Sequence, residues 1–299
     1  MEKQENIYYI FQTLIVFNKN KFNLFNMDKY EDNVQGRNCV FRSIIEKLSE
    51  KKTHVSLSKK SDYIVFRMEI LSSDFVSTKI AKHKLVDVFE EGDVDISKKE
   101  YDSLPYLHTY INLRNQTIFV EKKESIISAS VLQSILSEFM YVNSSEFPIN
   151  TFVVPVTEEV TFWNAVNQGP DQIYELDFEL IAPNILGFDN SIKELMRNTR
   201  DEINSDSVNL KFANKHGLLI VTESYFDDLV KYTTRSGSWK VKVKANGETT
   251  IFSSSDIIKK GKIEEEISNF FDTHKLNSLL SDDEWHNHIE ILKRNLDEK

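Results

Sequence analysis

Glu121 and Lys123 stand two apart in FVEKKE (119–124), with Asp102 upstream. A metal-dependent nuclease of the restriction type needs those residue types: an acid, then one strand later an acid-x-Lys pair, so that two carboxylates and a lysine surround a divalent ion. Glu-x-Lys recurs by chance at this charge content, and ordinary exposed strand charges are the plainer reading. WHNH (285–288) offers Asp282/His286 and Glu284/His288 at helical i, i+4 spacing, which could share a surface metal. Solvated helix polars are the plainer reading. His108, between Leu107 and Thr109 in a strand pattern, reads as a hydrogen-bonded core residue rather than a base. Eight scattered glycines supply no phosphate-cradling loop, and there is no Gly-x-Ser-x-Gly elbow, His-Glu-x-x-His helix or kinase set. No cofactor and no metal site is expected, and a non-enzymatic role is favoured over catalysis.

The stronger chemical signal is electrostatic. SWKVKVKAN (238–246) alternates so that Trp239, Val241 and Val243 fall on one face of a strand and Lys240, Lys242 and Lys244 on the other. Successive lysines on one face are about 7 Å apart, close to the phosphate repeat of a nucleic-acid strand. Residues 231–262 hold eight basic side chains (Lys231, Arg235, Lys240, Lys242, Lys244, Lys259, Lys260, Lys262) against Glu248 and Asp256. That local excess of six sits in a chain of net charge −10, leaving −16 elsewhere. Such segregation fits an anion-binding surface. The candidate nucleic-acid-binding residues are therefore Lys240, Lys242, Lys244, Arg235, Lys259, Lys260 and Lys262. Contact would be to backbone phosphates, since lysine rows read charge and not base identity. Lysines that keep a sheet edge from pairing with other chains, or that dock onto an acidic protein or lipid face, are the alternatives. KNK (19–21), Lys51–Lys52, Lys59–Lys60 with Arg67, and TKIAKHK (78–84) could extend the basic path.

The elements that must position these residues follow from the composition. With 299 residues, 40% hydrophobic and 11% aromatic, the chain can bury real cores and suits two domains. A single cysteine, Cys39, rules out an intrachain disulfide and a thiolate zinc cluster built from this chain alone. With Val40, Ile44 and Ile45 as neighbours it reads as a half-buried structural thiol. The N-terminus opens polar and acidic, unlike a secretory signal, and no run reaches the roughly 18 apolar residues of a membrane helix. A cytoplasmic protein is the expectation.

Strands are expected over 6–17, 54–58, 62–70, 106–113 and 116–122, with a helix through Val40, Phe41, Ile44, Ile45 and Leu48. The spacing of Val131, Leu132, Ile135, Leu136 and Phe139 predicts a helix over 126–141, capped by Ser128 or Ser130. VNSSEFPIN marks a seam. Beyond it come FVVPV as a strand, a helix N-capped by Thr157, a strand over 172–183, a helix over 190–204, the strands VNLKFA and GLLIV, a helix from Thr222, and a hairpin turning at Asn246-Gly247. The expected fold class is α+β, with largely antiparallel sheets flanked by helices. The expected organisation is an N-terminal domain over 1–147, a C-terminal domain over 148–262 carrying the basic hairpin, and a helical tail over 263–299.

SDYIVFRMEILSSDFVSTKIAKHK (61–84), followed by DSLPYLHTYINLRNQTIFVEKKESIISASVLQSILSEFM (102–140), lays out a strand, a basic segment, a hairpin and a capped amphipathic helix. This layout resembles the RexA-type phage-exclusion proteins and the DNA-binding subunit of the Kiwa defence system. IYELDFELIAPNILGFDNSIKEL (173–195) with LKFANKHGLLI (210–220) is similar to families of unknown function encoded beside phage-defence genes. The resemblance implies a two-domain α+β protein that binds DNA without sequence preference in anti-phage defence or abortive infection, forms a homodimer and signals to a membrane-protein or effector partner. No catalytic residue carries across. A metal-dependent nuclease effector, and an adaptor docking through Phe270, Phe271, Leu276 and Leu279, are the competing functions.

Overall fold

The structure, a computed structural model, describes residues 6–17, 34–48, 52–58, 61–71, 74–91, 96–147, 149–168, 172–182, 191–245 and 248–263. The 263–299 helical pair, including WHNH and the adaptor residues, lies outside the described residues save for Ile263, as do KNK (19–21), Lys51, Lys59, Lys60 and the Asn246-Gly247 turn.

NIYYIFQTLIVF is apolar on both faces, as a strand buried on both sides must be. It forms β1 (Asn6–Phe17), inside the first sheet. Tyr9, Phe11, Ile15 and Phe17 join one core with α1 (Val34–Leu48) and α2 (Ala129–Ser144). Val40, Phe41, Ile44, Ile45 and Leu48 make the buried stripe of α1. Cys39 is exposed, which corrects its reading as half-buried: at 100° per residue it falls well off that stripe. Ser128 is the N-cap residue of α2, as expected, but makes no side-chain cap bond.

The first sheet continues through β2 (Thr53–Ser58), β3 (Ser61–Val65), β4 (Glu69–Ile70), β5 (Phe75–Lys82), β8 (Tyr106–Asn112) and β9 (Thr117–Glu121). Between β5 and β8 the chain leaves as a separate two-stranded ribbon, β6 (Lys84–Glu91) with β7 (Ile96–Ser103). The sheet order is β10-β1-β9-β8-β5-β3-β2, where β10 is Ile149–Pro155; β4 adds to β5, and β15 (Lys260–Ile263) adds to β1. All named pairings are antiparallel.

Two of those strands lie beyond the expected limit at 147/148 yet pair with β1. β10 pairs with β1 from Phe11↔Pro155 to Phe17↔Ile149, so the first sheet runs past the seam at 147/148. β15 pairs with the start of β1, Tyr9↔Lys260, so the end of the basic stretch returns to the first sheet. β1 is long enough to hold β10 and β15 in tandem along one side, and sequence composition alone cannot show that its second half still lacks a partner.

The second sheet has the order β12-β11-β13-β14: β11 (Ile173–Ile181), β12 (Ser207–Ala213), β13 (Gly237–Ala245) and β14 (Glu248–Ser253). Leu176, Phe178, Leu180, Trp239, Val241 and Val243 point to one face and pack against Phe162, Met196, Phe226, Leu229 and Val230. Those partners come from α3 (Glu159–Asn167), α4 (Ser191–Ile203) and α5 (Glu223–Ser236). The N-cap of α3 is Glu158, not the expected Thr157. GLLIV forms no strand beyond a single bridge, Leu218 to Ile173. Leu14, Val16, Val154, Ile181 and Ala182 form a small apolar cluster joining the two sheets. Five helices among the described residues, beside antiparallel sheets, make the fold α+β. No helix among the described residues is long and apolar enough to cross a membrane.

Candidate nucleic-acid interface

The lysine face of β13 is fixed by what lies behind it. Trp239 is 1% exposed, and Val241 and Val243 are fully buried. Burial of a Trp and two Val contributes several kcal/mol, of the order of 2–3 per large side chain, so the period-2 register cannot slip without exposing all three. Lys240, Lys242 and Lys244 therefore share the opposite face, which the helices do not cover.

Neighbouring strands set the charge of that face. β14 places Ser253, Ile251 and Thr249 opposite Lys240, Lys242 and Lys244, an uncharged flank. β11 on the other side places Asp177 opposite Lys240 and Glu175 opposite Lys242. Lys211 of β12 takes Glu175 in an ion pair of 2.9 Å, and Glu179 accepts from Ser238 Oγ at 3.1 Å. No described carboxylate lies within the 4.0 Å of an ion pair from any of the three β13 ammonium groups. The face is a positive column beside an acidic one, with its free side toward β14.

The remaining predicted residues do not join the row. Arg235 is in the last turn of α5, in the helical layer behind the sheet. Lys259 lies 3.8 Å from Glu158 across the junction between sheets. Lys260 and Lys262 belong to β15, opposite Tyr9 and Ile7 of β1. Near Lys260, Glu124 accepts a short hydrogen bond from the Tyr9 hydroxyl and pairs with Lys122 at 3.4 Å. The Tyr9 bond and the Lys122 pairing hold the Glu124 carboxyl below its ordinary range, with Lys260 adding to the effect. The seven residues thus occupy four places, and of them the β13 triplet forms a row. Adjacency in sequence merged strands of two different sheets.

The nuclease candidates are also apart. Glu121 is 4% exposed; its Oε1 receives Lys123 Nζ at 2.6 Å and its Oε2 receives the His108 backbone N–H at 3.1 Å. Asp102 sits on the β6–β7 ribbon, where its Oδ1 is 3.0 Å from His83 Nε2. No group of three or more His, Cys, Asp or Glu among the described residues could hold a metal ion. His108 is half-buried at the wall of a surface cleft, together with Arg67 and Lys79. The sequence had marked the last two only as secondary basic positions. Their meeting depends on a strand irregularity that composition does not reveal.

No protein-family model matches the chain, and no curated protein is significantly similar to it.

Proposed function

We propose that this chain binds DNA through its sugar–phosphate backbone, without sequence preference, along the β13–β14 edge of the second sheet. The observation that carries the reading is the column of Lys240, Lys242 and Lys244 on an uncovered face, with no described carboxylate in ion-pair range and the uncharged Ser253, Ile251 and Thr249 of β14 opposite them. Three ammonium groups about 7 Å apart along a strand match a phosphate track. The acids of β11 steer the polyanion toward β14 and shorten its footprint, so modest affinity with strong salt sensitivity is the signature. The resemblance of the sequence layout to phage-exclusion proteins directs the proposal to an anti-phage sensor or effector that acts by binding rather than by cleavage.

The test is a gel shift with single- and double-stranded DNA at low salt. Wild type retards DNA, and the triple reversal Lys240→Glu, Lys242→Glu, Lys244→Glu does not. Lys259→Glu with Lys260→Glu leaves the shift unchanged, because Lys260 lies on the other sheet and Lys259 beside Glu158 at the junction. Equal retardation by wild type and the triple variant refutes the assignment.

A further inference from the structure

A second anion site lies on the first sheet, away from the lysine column. Residues 62–70 read as one strand in sequence, yet Val65 pairs with Ile80 and Glu69 with Ser77. Phe66, Arg67 and Met68 therefore face only Thr78 and Lys79. This is a one-residue bulge, the device by which strands re-aim side chains near sites. It is held by Phe66 N–H donating to the Lys79 carbonyl at 2.9 Å and Thr78 Oγ1 donating to the Phe66 carbonyl at 2.8 Å. Met68 is buried, while Phe66, Arg67 and Glu69 line a cleft of about 310 Å³ together with Ser77, Thr78, Lys79 and His108.

The groups around this space are ordered. Lys79 stands directly across from His108 on the neighbouring strand. Its ammonium lies 4.7 Å from the centre of the Tyr106 ring, and the same ring meets the His108 imidazole edge-on at 5.2 Å. The His108 backbone is tied to the buried Glu121. One aromatic side chain thus positions a cation and an imidazole, and the bulge brings a guanidinium to the same concavity. Arg67, Lys79, His108 and Ser77 line one small space, and side chains of these types are donors that a phosphate takes, with arginine supplying the planar fork. The volume falls at the lower end of small-molecule clefts, about 300–1,000 Å³, which leaves room beyond a bare phosphate. Phe66 and Tyr106 offer apolar surface beside it. Glu69 is the one carboxylate on the wall, and it disfavours a longer polyphosphate.

We propose that the Arg67–Lys79–His108 cleft binds a nucleoside monophosphate through its phosphate group. This site is independent of the lysine column and stands whether or not the chain binds DNA.

Isothermal titration of the full chain with AMP, UMP, inorganic phosphate, adenosine and ATP tests it. The expected order is a monophosphate tightest, inorganic phosphate and ATP weaker, and adenosine without measurable binding. Lys79→Met and Arg67→Met each weaken AMP or UMP by about tenfold or more, as loss of a charge-assisted contact does. Both side chains are exposed, so unchanged circular dichroism and melting are expected of these variants. Glu69→Gln narrows the gap between ATP and AMP. The β13 triple reversal leaves AMP affinity unchanged, which separates this site from the DNA reading. Absence of binding at millimolar AMP and UMP overturns the proposal. So does affinity untouched by both cation variants, or inorganic phosphate binding as tightly as the monophosphates.

Discussion

Gly237→Ala probes the strand that presents the lysine column. Gly237 opens β13 opposite Leu180. Its φ of 171° is extended, a backbone that alanine adopts freely. The obstacle is contact: a Cβ there would stand 2.0 Å from the Glu179 carbonyl oxygen and 3.1 Å from its carbon. The oxygen belongs to β11, the middle of the sheet, and cannot rotate away as a side chain could. Relief requires the start of β13 to lift from β11 by about 1 Å, an overpacking cost of about 1–3 kcal/mol. A weakened backbone hydrogen bond adds about 1 kcal/mol, for a total of about 2–4 kcal/mol. Thermal unfolding followed by tryptophan emission reports it, because the buried Trp239 is two residues away. At roughly 2–4 °C per kcal/mol for a domain of moderate size, the midpoint falls by about 5–15 °C. Gly217→Ala makes the contrast: the Cβ would meet the Tyr174 ring at 2.9 Å, but a ring can move, so the cost is chiefly that of the left-handed backbone at φ +74°, about 1–2 kcal/mol. A Gly237→Ala midpoint within a degree of wild type refutes the close packing of β13 on β11.

Lys123→Met removes the ammonium from Glu121 and leaves a nearly buried carboxylate with the His108 N–H as its named donor. About 1–3 kcal/mol of stability is lost, and adding Glu121→Gln recovers part of it; equal urea midpoints for wild type and Lys123→Met contradict this. Burial pushes the Tyr9 and Tyr232 phenols above their ordinary value, with the Glu124 hydrogen bond and charge adding to the effect at Tyr9 and Arg37 opposing it at Tyr232. Groups raised in the folded state contribute stability that is fully present below about pH 10 and is lost as pH climbs toward the higher folded values. Alkaline titration by phenolate absorbance therefore shows a fraction of the 11 tyrosines ionising only with unfolding. A single reversible step of all of them near the ordinary value, with the fold intact, contradicts the burial.

Local patterns were readable where one element decides its own face. The stripes of α1 and α2 and the Trp-Val/Lys alternation of β13 were visible because the period is written in consecutive residues. Pairing partners were not. FVVPV looked like the first strand of a second domain, but the open half of β1 claims it. Lys259, Lys260 and Lys262 looked continuous with the lysine row, because only six residues, 254–259, separate β14 from β15 on the other sheet. Asp177 and Glu175 are more than 60 residues from the lysines they face, so a local charge count overstated the positive field. TKIAKHK (78–84) read as a basic cluster, whereas the structure puts residues 78–82 in β5, and the bulge opposite that strand lines the cleft.

The most direct test of the central claim is the salt dependence of DNA affinity for wild type beside the variant with Lys240, Lys242 and Lys244 all changed to Met. Each neutralised phosphate contributes about −0.9 to the slope of log affinity against log salt, so the wild-type slope is steeper than the variant's by about 3. Parallel slopes, or wild-type binding indifferent to salt, contradict the claim that this column holds the phosphates.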